Sequence, residues 1–247
     1  MSVGSTSYAL DSRAVAWWWK VFFEPEDGDR YRNAEVEYMV REIYSQIGRV
    51  GKIRGNPPQF HQGLGKLAIL DVARKFLPVP VTSSVFNAPL LDIQDAVVKS
   101  LSSTPFDNEK VLFTTRVRIS DLNSVGNPWL AQQYIFAPHD VTTYVVGRRR
   151  FTFSRQRTEG KTTDWRKEQL EDAETSSWRF TPLTNEEESA LDAFLIELNL
   201  TWGRIDFMRD HKGKLWFLEY NANGQFGFLD AHNKYELIST IAEYLEV

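Results

Sequence analysis

The chain has 247 residues, of which 42% are hydrophobic and 25% charged, with a net charge of −4 and no Cys. That is enough for one large domain or two to three small lobes around a substantial core, in the composition of an ordinary globular protein. The acidic total excludes a global attraction to nucleic acid or anionic lipid, and the lack of Cys excludes disulfides, thiolate metal sites and a Cys nucleophile while suiting a reducing, cytoplasmic setting.

Residues 1–13 are small and polar and lack the apolar centre of a signal peptide. The run Ala14 to Phe23 is too short to span a bilayer and contains Lys20, so no membrane association is expected. Within it, VAWWWKVFF from Val15 reads as a buried strand or an interface segment. Three consecutive Trp can pack in a core or stack on a ligand. An exposed Trp17–Trp19 run implies a partner or homodimer interface, and a buried one a self-sufficient lobe. A charged loop from Glu24 to Arg32 follows. Ala34 to Ile47 carries Val36, Val40, Ile43 and Ile47 on one face before Gly48, which predicts an amphipathic helix. Gly51 to Gly65, rich in Gly and Pro, reads as a lobe boundary.

Lys66 to Phe76 predicts a second helix, stopped by Pro78 and Pro80. Val79 to Val85 reads as a short strand, Leu90 to Asp95 as a helical turn, and Ala96 to Leu101 (AVVKSL) as a strand carrying Lys99. Lys110 to Ile119 alternates cleanly and predicts a half-exposed strand. Trp129 to Phe136 and Val141 to Gly147 read as strands on either side of an Ala137–Asp140 turn, and Arg149 to Arg157 as a third. Between Arg148 and Lys167 stand eight basic and two acidic residues, a local balance of +6. That stretch is either an Arg-guarded sheet edge or a groove for phosphates and acidic groups. A loop with Asp164-Trp165-Arg166 follows. Thr184 with Glu187 forms a capping box for a helix striped by Leu191, Phe194, Leu195 and Leu198, and Asn233 with Glu236 opens the last helix. The segments divide as a small N-terminal lobe (1–62), a central lobe (63–130) and a C-terminal lobe (131–247), an α+β architecture.

Between the last two helices lies Gly203 to Asp230, GRIDFMRDHKGKLWFLEYNANGQFGFLD. Asp210-His211-Lys212-Gly213 separates two apolar-rich runs, which predicts a β-hairpin. Glu219 and Asn221 share a face. A tight loop of two or four residues puts Asp206 on that face too, opposite Glu219 or one diagonal step away, within roughly 8 Å between Cα atoms. Three oxygen donors then converge, as a hard cation such as Mg²⁺ requires. A polar hairpin with one exposed face is the alternative. Against it, Glu219 stands among Phe217, Leu218 and Tyr220, where a lone buried carboxylate is costly.

With these residues in view, the chain resembles the ATP-grasp ligases. FLEYNANGQ resembles the metal-binding end of that superfamily, in which an Asp, a Glu and an Asn hold two Mg²⁺ ions on the phosphates of ATP. The subgroup it resembles is that of the microviridin-type ribosomal peptide maturases, relatives of the ribosomal-protein glutamate ligases. The likeness runs from about Val15 to the C-terminus and is strongest after Trp202. It implies an ATP-grasp fold of two α+β lobes gripping the nucleotide, with a shortened N-terminal lobe. It also implies an ATP-dependent carboxylate–amine or carboxylate–hydroxyl ligase acting through an acyl phosphate on Asp or Glu side chains of an acidic precursor peptide. A small amino acid substrate, or a non-catalytic nucleotide-binding subunit, are the alternatives. By the same resemblance Asp206, Glu219 and Asn221 match the Mg²⁺ ligands. Lys66 and Lys99 match the nucleotide lysines, and Lys99 the one that meets the α- and β-phosphates. Gln132, Gln133, Tyr134 and Ile135 match the segment whose backbone receives adenine, and Asp140 an acidic position at the nucleotide rim. Arg166 matches a basic position facing the γ-phosphate or acyl phosphate, which with Lys99 makes the catalytic pair. Thr142 stands where relatives often have Arg, Asp230 where a Glu is common, and the loop after Lys99 is Ser-rich.

Overall fold

The computed structural model describes residues 2–3, 6–7, 15–17, 30–56, 65–85, 95–99, 101, 114–118, 128–157 and 178–246. In chain order the elements are β1 (Ser2–Val3), β2 (Thr6–Ser7), β3 (Val15–Trp17), α1 (Arg30–Val50), β4 (Lys52–Arg54), α2 (Lys66–Ala73), β5 (Thr82–Val85), β6 (Asp95–Lys99), β7 (Thr115–Arg118), β8 (Trp129–Gln133), β9 (His139–Val146), β10 (Arg149–Gln156), β11 (Arg179–Phe180), α3 (Asn185–Glu197), β12 (Trp202–Arg209), β13 (Leu215–Asn221) and α4 (Leu237–Glu246). Leu90–Gln94, Lys110–Phe113, Ile119, Trp18, Trp19 and Asp164–Arg166, on which several expectations rest, lie outside the described residues. Among those described, no helix is long and apolar enough to cross a membrane.

Two antiparallel sheets organise the chain. One has strand order β5-β8-β6-β7, the other β11-β10-β9-β12-β13. Before them, β3 and β4 pair in parallel across α1. The alternation of β12 shows how the larger sheet is covered. Ile205 and Phe207 face one side, where Ile69, Leu70 and Ala73 of α2 and Leu191, Phe194 and Leu195 of α3 pack on them. Trp202 faces the other, in a cluster with Tyr144, Phe153 and Leu237 and Ile241 of α4. Burial of about 1.5–3 kcal/mol per large apolar side chain makes both faces stabilising. Farther along that second face come Arg204, Asp206 and Met208, which line a cleft instead.

Trp17 meets Trp202 edge-on at 4.9 Å between ring centroids, so the first residue of the Trp run joins this aromatic cluster. The Thr184–Glu187 capping box forms as expected and starts α3. At the last helix the Asn233 half of the expected Asn233–Glu236 opening forms and the Glu236 half does not. Asp230 accepts from the Leu237 amide at 3.0 Å and Asn233 from the Ile238 and Ser239 amides, while Glu236 pairs with Arg149. The expected Ala137–Asp140 turn between two strands is also corrected. The Gln133 amide donates to Val81 O and the Tyr134 amide to Asp95 O, which ties the end of β8 to the smaller sheet. Residues 134–138 therefore cross between sheets, and His139 and Asp140 already belong to β9. The hairpin is β9–β10, around Gly147 at φ +58°.

Candidate functional site

The convergence at the β12–β13 hairpin has a different cause from the one the loop predicts. Arg209 pairs with Leu215, so five residues lie in the loop. Asp210 closes it: Oδ1 accepts from the Lys212 and Lys214 amides and Oδ2 from Trp216 Nε1. The Trp216 hydrogen bond is the main reason the Asp210 carboxyl is held below its ordinary range. An odd loop alone would set Asp206 opposite Leu218 and aim Glu219 at the helix-covered face with Ile205. A register shift between Asp206 and Phe207 inserts Leu218 as a β-bulge. Asp206 then pairs with Glu219 and Arg204 with Asn221. The bulge thus turns Glu219 out of the core and into the cleft.

Asp206 Oδ1 accepts from Thr142 Oγ1 at 2.8 Å, and Oδ2 accepts from Arg204 Nη2 and Asn221 Nδ2, each at 2.9 Å. The same Asn221 nitrogen donates to Glu219 Oε1 at 3.1 Å. Facing two carboxylates, the amide presents its donor; facing a cation, it would present its oxygen after a half-turn of its last torsion. For Glu219, burial by itself would push the carboxyl up. Lys99, the Asn221 hydrogen bond, Lys66 and Arg204 outweigh it, and the group is held below its usual range. It stays a carboxylate.

The facing wall comes from the smaller sheet. Lys99, at the end of β6, donates to Gln132 Oε1 at 3.2 Å. Gln132, with no exposed surface, donates through Nε2 to Thr82 Oγ1 at 3.1 Å, and Thr82 donates to Pro80 O at 2.8 Å. An ammonium can only donate, so this chain of donors and acceptors has one orientation. Sequence reasoning assigned Gln132 a backbone role only. Its side chain is what anchors Lys99. The cleft between the walls is open to solvent at its mouth. Lys99, Tyr134, Ile135 and Asp140 line it together with Asp206 and Glu219. Lys66, at the start of α2, lines an adjoining smaller hollow with Lys99 and Glu219.

Asp140 lines the cleft with little exposed surface. It is 4% exposed and held by Arg155 Nη2 at 3.0 Å and Arg157 Nη1 at 2.7 Å. In the rest of the described basic stretch, Arg149 pairs with Glu236 and Arg150 with Asp192. Arg166 lies outside the described residues. Arg204 was missed altogether, because one Arg on a strand carries no sequence signal. Among the described residues no three His, Asp or Glu side chains cluster as a self-contained metal cage. Two carboxylates and an amide suit a cation whose remaining ligands come from phosphate oxygens and water.

No protein-family model matches the chain. The D-alanine–D-alanine ligase of Alkalilimnicola ehrlichii is 54% identical over 33 residues, 13% of this chain and 11% of that protein, so the match spans about a tenth of that relative's length. Among solved structures, an ATP-grasp ligase of ribosomal peptide biosynthesis from Chryseobacterium gregarium, in complex with ADP and a leader and core peptide, superposes with a TM-score of 0.79 at 23% identity, over 94% of this chain and 75% of its own. The macrocyclase MdnC of Microcystis aeruginosa, bound with precursor peptide MdnA, gives 0.76 at 24% identity, over 95% and 78%. The ATP-grasp ligase PsnB, complexed with minimal precursor, Mg and ADP, gives 0.69 at 14%, over 94% and 79%. With its two antiparallel sheets closing on one cleft and this likeness over nearly its whole length, the chain has the ATP-grasp fold.

Proposed function

We propose that this protein is an ATP-dependent ligase that activates a carboxylate as an acyl phosphate and joins it to an amine or a hydroxyl. The observation that carries the reading is the facing of Asp206, Glu219 and Asn221 on one wall by Lys99 on the other, with Lys66 beside them. Asp206, Glu219 and Asn221 would hold Mg²⁺, for which hard oxygen donors and a Glu219 held below its usual range are suited. When bound, Mg²⁺ supplies charge neutralisation on phosphate oxygens.

The rest is work for the chain's own residues. Lys99, held by Gln132, is a point charge for the α- and β-phosphates, and Lys66 adds a second. Gln133 and Tyr134 have spent their amides inside the sheet, so within Gln132–Ile135 we assign adenine to the backbone of Ile135. Asp140 holds Arg157 in the cleft wall and is itself fixed by the buried Arg155. Arg166 keeps its assignment to the γ-phosphate or the acyl phosphate. A substrate carboxylate oxygen attacks the γ-phosphorus in line, the bond to the departing ADP oxygen breaks, and an acyl phosphate remains. The amine or hydroxyl then attacks its carbonyl, loses a proton and expels phosphate. No protein nucleophile is needed, because positioning and fixed charge carry such transfers.

The substrate we assign is an Asp or Glu side chain of an acidic precursor peptide. The support is that three of the structures it resembles were solved with precursor or leader and core peptides. A small amino acid substrate is the second reading, favoured by the 33-residue match to a D-alanine–D-alanine ligase. Incubation with Mg²⁺, ATP and either acidic peptides or D-alanine, with ADP release measured, tests both. Glu219→Gln is expected to abolish substrate-dependent ADP release while the far-ultraviolet circular dichroism stays unchanged. A variant that turns over ATP at the parent's rate refutes the metal assignment.

A further inference from the structure

The crossover between the two sheets carries an aromatic ring on either side of Ile135, and each ring is held from a different sheet. Tyr134 is held from the smaller one. Its amide donates to Asp95 O at 3.1 Å, and the Asp95 carboxylate accepts from Arg116 Nη2 at 2.7 Å. The Arg116 guanidinium in turn lies 4.1 Å from the centre of the Tyr134 ring. Backbone bond, ion pair and cation–π contact thus close on one another. Arg116 stands opposite Val97, and Val97 lines the cleft. Opposed side chains share a face, so this ring of contacts lies on the cleft side of the sheet.

Phe136 is held from the larger sheet. Its ring is 59% exposed and stacks on His211, with centroids 4.9 Å apart and planes 29° from parallel. His211 belongs to the β12–β13 loop and follows Asp210, whose carboxylate accepts from two amides of that loop and from Trp216 Nε1. The support behind the stack is therefore fixed. The same hairpin carries Asp206 and Glu219 into the cleft. Neither Tyr134 nor Phe136 joins the apolar clusters formed by the described residues, so core packing is not what places these rings. With residues 134 and 136 both pinned, the Ile135 backbone between them has little freedom to turn.

We propose that Arg116 and His211 are positioning residues. Through Tyr134 and Phe136 they clasp the crossover from both sheets and hold the Ile135 backbone in place for an adenine base. This rests on the reading of the cleft given under Proposed function and adds two residues that act without touching the nucleotide. Affinity for the base scales with the fraction of molecules whose binding segment is in place. Loosening either clasp lowers that fraction. Lys99, assigned to the phosphates, is fixed separately by Gln132 and Thr82 and keeps its position.

The test uses the full chain with Mg²⁺ and follows ADP and inorganic triphosphate, which lacks the base, by calorimetry. Arg116→Ala and His211→Ala are each expected to weaken ADP about threefold, and the double variant about tenfold. Triphosphate affinity stays at the parent's value in all three. Both replaced side chains are exposed, so the variants are expected to keep the parent's circular dichroism. His211→Tyr, which keeps a ring against Phe136, is expected to bind ADP within about twofold of the parent. A double variant that binds ADP as the parent does, or that loses ADP and triphosphate in equal measure, overturns the clasp. A His211→Tyr variant as weak as His211→Ala overturns the stack on Phe136. If the parent itself binds neither ligand, the reading of the cleft falls, and the clasp with it.

Discussion

Replacing Gly203 by Ala strikes the backbone that presents the site. Gly203 has φ +128°, a conformation open to glycine and scarcely to other residues. A Cβ there would stand 2.7 Å from the Tyr220 hydroxyl, 2.8 Å from its Cε2 and 2.9 Å from its Cζ. The ring has little freedom to retreat. Its hydroxyl accepts from Asn56 Nδ2 and donates to the Trp202 carbonyl, both buried. The backbone strain costs about 1–3 kcal/mol. Displacing the ring costs about 1–3 kcal/mol as overpacking, or a similar amount if a buried hydrogen bond is lost instead. The sum is about 2–6 kcal/mol, and at roughly 2–4 °C per kcal/mol for a chain of this size the melting temperature falls by roughly 4–24 °C. Scanning calorimetry on parent and variant reads this directly. Tyr220 lies between Glu219 and Asn221, so ADP affinity in the presence of Mg²⁺ is expected to weaken as well. A variant that melts within about 2 °C of the parent refutes the reasoning, since neither the strain nor the clash could then be real.

Thr82→Val removes the acceptor that orients Gln132 and so loosens Lys99. ADP affinity is expected to fall roughly three- to tenfold, the range of one hydrogen bond, while adenosine affinity holds, and an equal loss for both ligands in calorimetric titration speaks against the anchor. Asp140→Asn leaves Arg155 and Arg157 facing a neutral amide in the cleft wall. Breaking a buried pair by one partner costs about 3–5 kcal/mol, and a loss under about 1 kcal/mol in urea unfolding refutes the pairing as a structural element. Glu187 titrates in the opposite sense to its burial. Burial alone would raise it, but Arg209 at 2.6 Å and the Thr184 cap hold it below the ordinary carboxylate range. Its ionised form stabilises the fold fully above the unfolded carboxylate range, and that stability is lost as pH falls through the lowered folded value. Glu187→Gln is therefore expected to flatten the loss of stability between about pH 5 and 3, and an unchanged acid-unfolding curve refutes it.

Local rules wrote much of the fold into the sequence. The periodicity of Val36, Val40, Ile43 and Ile47 marks α1, Thr184 and Glu187 start α3 within four residues of chain, and the polar turn after Arg209 marks the β12–β13 hairpin. These signals depend on neighbours in sequence, so no distant contact is needed to read them. The convergence of Asp206, Glu219 and Asn221 was legible only in outcome. The expected loop was even, the actual loop is odd, and the Leu218 bulge restores the facing, although nothing in Leu218 itself distinguishes it from any strand leucine. Tertiary structure alone decided the remainder. Whether His139 and Asp140 turn or extend depended on β10 and β12 pairing with them. Whether the basic stretch guards an edge or lines a groove depended on where its acids lie. Arg149 and Arg150 find Glu236 and Asp192 on helix-side elements, while Arg155 and Arg157 close on Asp140 in the cleft. Gln132 orients Lys99 only because β5, β6 and β8 bring Thr82, Lys99 and Gln132 side by side. Charge and hydrogen-bond partners are chosen across space, and a linear count of residues holds no record of that choice.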